Sequence, residues 1–354
     1  MQRPVMNPMF MEEQRAEAEK KRRHWQRMVR PVWIVLRFVG KVLLTRISLL
    51  GRQRAKLRIE DGTPLQRFVR AVLYRLAFLP VALVLFIVSL VLAVTHPPHA
   101  QPESDPLTHG VYYDPVNFLS EDGTRLEGWL VPVYEAKRVL EEKEKVLTRK
   151  HPAVVLLHDF DGSREQVLPL VQPLHDAGMV VLVVGLRGSE SGRGAGHTFG
   201  LREVLDVRAA VQMLRRRAYV DPTKVCVFGL GTGANAAILA AEDDPAIAAL
   251  VLDRPVDGFA SAFSNRVGES YRYMHTLMPL FEWTFEMMYH VDTDRLSVAS
   301  RDAVMEARPV LLFDALRDVG ALQPQDVRGV QEFLRFHTIV AKNETATASV
   351  ANGG

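Results

Sequence analysis

The longest apolar run in the chain covers residues 76–94, where nineteen consecutive positions carry no charged side chain. At about 1.5 Å of rise per residue, a helix of this length covers roughly the 30 Å hydrocarbon thickness of a bilayer. The run therefore predicts a single transmembrane helix. A buried core helix is the alternative. A cleaved signal peptide fits poorly, because the run is too long and is followed by THPPHA rather than by a small-residue cleavage site.

Beyond a polar linker at 95–109, short apolar runs alternate with helical patterns over a domain at 110–343, and 344–354 is expected to be a disordered tail. This alternation is typical of an α/β fold with a mainly parallel, helix-covered sheet. Asp122-Gly123 indicates a hairpin between the first two strands. We expect eight strands, at 111–119, 124–133, 153–158, 179–184, 224–228, 248–253, 309–314 and 337–342, and helices at 164–177, 202–217, 233–242 and 323–335.

Positive charge is concentrated before the apolar run. Residues 1–75 contain 18 Lys and Arg against 6 Asp and Glu, whereas the remainder contains 26 against 35. By the positive-inside rule, this basic segment should be cytoplasmic and the C-terminal domain should lie on the exported side. This segment lies next to an apolar run, which favours anionic lipid as its partner. We therefore do not expect it to bind nucleic acid. Within it, the interrupted amphipathic pattern of 27–50 suits an interfacial helix, with a second spanning segment or a basic linker as alternatives.

Five short segments carry a family signal. They are VVLLHDFDGSRE (154–165), VVLVVGLRGSESG (180–192), DPTKVCVFGLGTGANAAILAA (221–241), ALVLDRP (249–255) and ARPVLLFDALRD (307–318). In this order they resemble the α/β-hydrolase superfamily, especially its dienelactone-hydrolase-like and serine-aminopeptidase-like members, over about 110–343. The resemblance implies an oxyanion-hole turn after the third strand, a nucleophile elbow between strand and helix, a triad acid at Asp318 and a triad histidine after the eighth strand.

The chain departs from that family's catalytic pattern at three places. A Gly-x-Ser-x-Gly elbow carries the nucleophile on its serine, but the motif GLGTG (229–233) places Gly231 there and deletes the reactive oxygen. Asp159 stands where the family usually has glycine after His158, and a carboxylate there opposes the negative charge that acyl transfer develops. No histidine follows the predicted eighth strand, because the last one, His337, stands at its beginning.

These departures predict a membrane-anchored hydrolase-fold protein that is not an enzyme and that binds a small ligand or a protein in the cleft of its exported domain. Gly231 and Asp318 are then degenerate triad positions. An active esterase or peptidase with an unrecognised nucleophile is the alternative, although the side chain of Thr232 would point in the wrong direction for attack. The residues expected to line the binding cleft are His158, Asp159, Phe160 and Thr232.

No cofactor and no metal are expected. The acidic motif HDFD (158–161) together with Asp314 and Asp318 fits no known spacing of metal ligands. The stretch 271–290 is rich in aromatic residues and methionine at helical spacing, which favours packing against the core over a ligand-binding or partner-binding face.

Overall fold

The computed structural model describes residues 63–97, 102–133, 150–160, 162–188, 196–268, 274–298, 301–313 and 322–340. The chain divides into two compact units, Met1–Val94 and Thr95–Gly354. The interfacial helix predicted at 27–50 and the tail predicted at 344–354 both lie outside the described residues. Among the described residues of the predicted linker, Pro106–His109 form a short 3-10 helix, which is capped by the side chain of Asp105.

Two helices make up the described part of the N-terminal unit, α1 at Pro64–Ala77 and α2 at Leu79–Thr95. The spanning segment predicted at 76–94 is therefore divided between them. Among the described residues, no helix is both long enough and apolar enough to cross a bilayer. Both helices expose large apolar side chains, among them Leu65, Phe68, Leu79, Val81 and Val84.

Seven strands form one sheet in the described part of the C-terminal unit, in the order β1-β2-β4-β3-β5-β6-β7. Strand β2 is antiparallel to both of its neighbours, and all other neighbouring strands are parallel. The central strands β3 and β4 are buried along their whole length, as expected for apolar runs covered on both faces of a sheet. The strands are β1 (Asp114–Leu119), β2 (Arg125–Val131), β3 (His151–Leu157), β4 (Val180–Gly185), β5 (Val220–Leu230), β6 (Ile247–Asp253) and β7 (Val310–Phe313).

Helices connect the parallel strands and bury their apolar sides against the sheet. Helix α5 follows β5 directly and is buried over most of its length, because small alanine side chains let it approach the strands closely. The α-helices in the described part of this unit are α3 (Leu168–Asp176), α4 (Val204–Arg215), α5 (Thr232–Asp243), α6 (Gly258–Val267), α7 (Met278–Tyr289), α8 (Asp302–Glu306) and α9 (Pro324–Arg335). The predicted α/β architecture with a mostly parallel sheet is confirmed.

The strand predicted at 337–342 is wrong over its described part, because Phe336–Val340 form a π-helix that continues α9. Besides Asp326, the residues buried along α9 and this π-helix are Val327, Val330, Leu334 and Thr338, and their spacing of three or four is helical. The Thr338 hydroxyl donates to the carbonyl of Leu334 at 2.6 Å. Four apolar or β-branched residues in a row can suit either a strand or the end of a buried helix, and helical packing prevails here.

A buried arginine joins three elements at one side of the sheet. Arg187 follows β4 and is 1% exposed. Its guanidinium donates to Asp206 of α4 (Nε to Oδ1, 3.0 Å) and to Asp122 and Ser120 in the β1–β2 turn, with 2.9 Å to the Ser120 hydroxyl. Burial alone would lower the pKa of Arg187, but the bonds to the two carboxylates outweigh it and hold that pKa above its ordinary value. The arginine therefore stays charged and ties the hairpin to the helix layer.

Replacing Arg187 with methionine should lower the free energy of unfolding by about 3–5 kcal/mol, because Asp206 would stay buried without its counter-charge. Denaturant unfolding of the full-length chain in detergent measures this loss. The control is Arg208→Met, which removes partly exposed ion pairs with Glu121 and Asp243 and should cost less than about 1 kcal/mol. Equal losses in the two variants would contradict the role given to Arg187.

Candidate functional site

The predicted strand-to-helix elbow is present between β5 and α5. Gly231 stands immediately before α5 with φ 57° and ψ −118°, a conformation that favours glycine. Its backbone N–H donates to the carbonyl of Asp253 at the end of β6, at 2.8 Å. The elbow therefore keeps the backbone geometry of a nucleophile turn, while its central residue carries no side chain.

The carboxylate of Asp159 occupies the space in which a side chain at position 231 would begin. A Cβ atom built on Gly231 overlaps all three atoms of that carboxylate group. Asp159 Oδ1 accepts hydrogen bonds from the backbone N–H of Thr232 (2.8 Å), the backbone N–H of Phe160 (2.7 Å) and the Thr232 hydroxyl (3.1 Å). In the α/β-hydrolase superfamily, which the sequence resembles, the oxyanion donors are the N–H after the nucleophile and an N–H from the loop after the third strand. Asp159 thus engages the N–H groups at both of these positions.

The backbone of Asp159 is held on both sides of its Cα atom. Its N–H donates to Oε1 of Gln166 at 3.0 Å, and its carbonyl accepts from the N–H of Gly162 at 3.1 Å. The same carbonyl lies 2.7 Å from Nδ1 of His158. These contacts fix the loop after β3, and with it the direction of the carboxylate.

His158 is fully buried, and both of its ring nitrogens lie within hydrogen-bond distance of backbone groups. The N–H of Leu186 donates to Nε2 at 3.1 Å, so that nitrogen carries no proton. The proton is on Nδ1, which donates to the carbonyl of Asp159, and the imidazole is neutral. His158 therefore joins the ends of β3 and β4 through backbone groups.

An aromatic cluster fills the space beside this turn. Phe160 meets His197 edge to face, with ring centroids 4.2 Å apart, and lies 5.5 Å from Phe199. Phe199 continues the contact to Phe259 of α6 and Phe285 of α7, at 6.0 and 5.7 Å. All five side chains are at most 5% exposed. These five rings are thus packed together and buried next to the elbow.

The loop that presents Phe199 is strained and strongly supported. Phe199 has φ 58°, which is rare for a bulky residue. The buried carboxylate of Glu203 accepts from the N–H groups of Thr198 and Gly200, at 2.9 and 2.8 Å, and from the Thr198 hydroxyl. These three bonds stabilise the turn and place the Phe199 ring in the cluster.

The structure brings together the four residues predicted to line a binding cleft, His158, Asp159, Phe160 and Thr232, and their role in binding stays a prediction. Asp161, Asp314 and Asp318 lie outside the described residues. His337 is half-buried at the end of α9, where its ring contacts Phe333 and Phe336. Among the described residues, no group of three His, Cys, Asp or Glu side chains could hold a metal ion. In the stretch 271–290, helix α7 buries Met278, Phe281 and Phe285, as packing against the core requires.

Sequence reasoning missed Gln166, Phe199 and Phe259. Gln166 is a polar residue in a loop, and nothing in its neighbourhood along the chain indicates that it binds the backbone of Asp159. The two phenylalanines lie in separate segments and look like ordinary core residues. The one usable signal is the pair of glycines in GHTFG (196–200), which predicts unusual backbone geometry around Phe199.

The overlap between Asp159 and position 231 can be measured as a coupling energy. Gly231→Ser should lower the free energy of unfolding by about 3 kcal/mol or more, from backbone strain and from steric overlap. In an Asp159→Gly background the same change should cost only the strain, about 1–2 kcal/mol. Denaturant unfolding of the four proteins gives the double-mutant cycle.

Gly268 supplies the control, since it has φ 59° and ψ −138° and open space around its Cβ position. Gly268→Ser should lower the free energy of unfolding through backbone strain alone. This loss should be the same with and without the Asp159 side chain. Additive losses for Gly231→Ser and Asp159→Gly would refute the overlap.

Comparisons with known proteins find relatives over part of the chain, and no protein-family model matches. The uncharacterized protein YfhR of Escherichia coli O157:H7 is 26% identical over 154 residues, which is 43% of this chain and 50% of that protein. The uncharacterized protein Rv2307c of Mycobacterium tuberculosis (strain ATCC 25618 / H37Rv) is 32% identical over 142 residues, or 40% of this chain and 45% of that one. The chain thus spans about half the length of these curated relatives.

Among solved structures, the esterase Pf2001 of Pyrococcus furiosus superposes with a TM-score of 0.49 at 22% identity, over 69% of this chain and 98% of that chain. The α/β hydrolase GrgF from Penicillium sp. sh18 superposes with a TM-score of 0.43 at 16% identity, over 64% of this chain and 99% of the other. The mostly parallel, helix-covered sheet and the elbow at Gly231 give this chain an α/β-hydrolase-like fold, and the resemblance found in its sequence holds at the level of the fold.

Proposed function

We propose that this chain is a non-catalytic protein with the α/β-hydrolase fold, anchored in a membrane and binding a partner on the exported side. The observation that carries the non-catalytic part is the position of the Asp159 carboxylate. It overlaps the space of any side chain at Gly231 and accepts from the N–H groups that the fold uses for an oxyanion.

Acyl transfer needs a nucleophile and donors for the negative charge that develops on the substrate. Gly231 supplies no nucleophilic atom, and the N–H groups of Thr232 and Phe160 donate to a group that is itself negative. The loss of one triad member alone lowers the rate by about 10⁴–10⁶. The missing nucleophile and the occupied N–H donors together support the proposal that this protein has no hydrolase activity.

A second candidate function is an esterase or peptidase that uses Thr232. It is favoured by the 3.1 Å contact between the Thr232 hydroxyl and Asp159, since a carboxylate can accept a proton from a hydroxyl. The same carboxylate, however, takes the donors that the transition state would need. The non-catalytic function therefore accounts for more of the geometry.

The filled space around the elbow favours a protein partner over a small ligand. Phe160, Phe199 and Phe259 are at most 5% exposed and leave a ligand little apolar surface to cover at this place. A macromolecule could instead bind the outer surface of the domain, where no cavity is needed.

Membrane attachment is supported by the uncharged run at 76–94 and by the basic residues before it. Helix α2 covers 17 residues, about 25 Å at helical rise, and exposes Leu79, Val81 and Val84. Several exposed valine and leucine side chains on one short helix suit contact with lipid. The orientation rests on the positive-inside rule alone.

The activity test uses the full-length chain in detergent. Neither the wild type nor Gly231→Ser should hydrolyse p-nitrophenyl acetate above the background rate or react with a fluorophosphonate probe. Gly231→Ser supplies a hydroxyl, but the triad histidine that the resemblance implies is missing from 338–354, and the Asp159 carboxylate holds the N–H donors. A known serine hydrolase in the same detergent serves as the positive control. Labelling of the wild type that Thr232→Ala abolishes would replace this proposal with the second candidate function.

Membrane orientation is tested with two reporter fusions, one after residue 75 and one after Gly354. The first should be active on the cytoplasmic side and the second on the exported side, because the segment between them would cross the membrane once. Fractionation of the longer fusion should place it in the membrane pellet after an alkaline wash. Two reporters active on the same side would refute the orientation.

A further inference from the structure

We propose that helix α7 is a second membrane contact of this chain, and that its exposed apolar side rests on the lipid headgroups at the exported face of the bilayer. The contact is made by Pro279, Trp283 and Met287, which follow one another at intervals of four residues and are called the α7 stripe. This inference rests on the membrane anchoring proposed above and adds to it a surface of the folded domain that meets the lipid.

The α7 stripe lies on the outer side of a helix whose inner side is firmly packed. Phe281 and Phe285 are at most 1% exposed, and the ring of Phe281 stacks on Phe263 of α6 with centroids 5.2 Å apart. Trp283 and Met287, by contrast, are each 58% exposed. Because the packed side fixes the rotation of α7, the stripe faces outward as a stable feature of the domain.

The acidic neighbours of the α7 stripe are engaged elsewhere. Carboxylate oxygens of Glu282 and Glu286 lie 2.8 and 2.7 Å from the hydroxyl of Thr293, and the Thr293 N–H donates to Glu286 at 3.2 Å. Both carboxylates therefore bind the turn that follows α7. The stripe itself contains only apolar side chains, and an exposed apolar surface of this kind is favoured where it can leave water.

The end of α7 is hydrogen-bonded to the residue at which the domain begins. Thr95 is the last residue of α2 and the first of the C-terminal unit. Its hydroxyl lies 2.6 Å from that of Tyr289, the last residue of α7, and its carbonyl accepts from the N–H of His197 at 2.8 Å. A side-chain bond and a backbone bond thus hold Thr95 on the domain next to α7.

This contact limits the distance between the α7 stripe and the bilayer. The uncharged run ends at residue 94, so in the proposed anchoring Thr95 lies at the exported interface. Met287 and Trp283 precede Tyr289 by two and six residues, which is about 3 and 9 Å along the helix axis. The headgroup region on one side of a bilayer is roughly 5–8 Å thick. Both side chains are therefore within reach of that region.

Lipid is the occupant that this surface fits best. Tryptophan and tyrosine are enriched at membrane interfaces, because each joins an apolar ring to a polar group. A helix can lie in the interface with its apolar side among the headgroups and without spanning the bilayer. Trp283 and Met287, on a helix that ends beside Thr95, match this arrangement. The contact holds the domain against the membrane in one orientation.

Fluorescence quenching in lipid nanodiscs tests the contact. Full-length Met287→Cys carries a fluorescent thiol label and is placed in nanodiscs of phosphatidylcholine and phosphatidylglycerol, with or without a nitroxide on the lipid headgroups. The label should lose about half of its fluorescence in the nitroxide nanodiscs, because it lies at headgroup level. Trp283→Cys should behave in the same way. Both positions are exposed, so the two variants should fold like the wild type.

Two controls come from the same chain. Leu119→Cys places the label on β1, at the edge of the sheet opposite β7, where the side chain is 61% exposed. Its fluorescence should fall by less than about a tenth, because this edge should not meet lipid. The unmutated chain should take up no label, because its one cysteine, Cys226, is buried and burial raises the pKa of that thiol to about 12.

The inference is overturned if the labels at 287 and 283 are quenched no more than the label at 119. Disulfide-linked dimers of Met287→Cys in place of quenching would assign the α7 stripe to a second copy of the chain and would overturn it as well. A chain that does not enter the nanodiscs contradicts the proposed anchoring and this inference together. An incorporated chain without quenching at 287 contradicts the inference alone.

Discussion

The hydrogen bonds from the Thr232 and Phe160 N–H groups to the Asp159 carboxylate join the loop after β3 to the start of α5, and the chemistry of the domain depends on them. They require a residue without a side chain at Gly231, because the carboxylate lies where a Cβ atom would be. They also require a rigid loop, which Gln166 and His158 provide through the backbone of Asp159. Negative charge in this position is stabilised by the same donors that would otherwise stabilise a transition state.

Two buried carboxylates of the domain, those of Asp206 and Glu203, are likewise satisfied by fixed donors. Asp206 is paired with the guanidinium of Arg187, and Glu203 accepts from two backbone N–H groups and a hydroxyl. An unpaired carboxylate in such places would cost several kcal/mol, so each is matched to donors that the fold holds in place. The strained Phe199 conformation persists because Glu203 anchors both residues beside it.

Much of the fold was predictable, because continuous apolar runs in an α/β protein have few uses other than central strands. The runs at β3, β4 and β5 and the glycines around Gly231 were therefore informative. The last strand was not, since the short apolar run after His337 suits a helix end as well as a strand. Asp159 could be recognised as a departure from the catalytic pattern, but its contact with the Thr232 N–H depends on two segments meeting in space. The aromatic cluster was hidden for the same reason.

The overlap between position 231 and the Asp159 carboxylate also limits how these two positions can change during evolution. If an ancestor of this chain carried a serine at the elbow, an aspartate at 159 could not have adopted its present orientation while the serine remained. The present orientation of the aspartate therefore requires that the serine is absent. Once the aspartate was in place, a mutation back to serine would meet an occupied site and be disfavoured by stability alone. A residue at position 159 can thus make the absence of a side chain at position 231 hard to reverse.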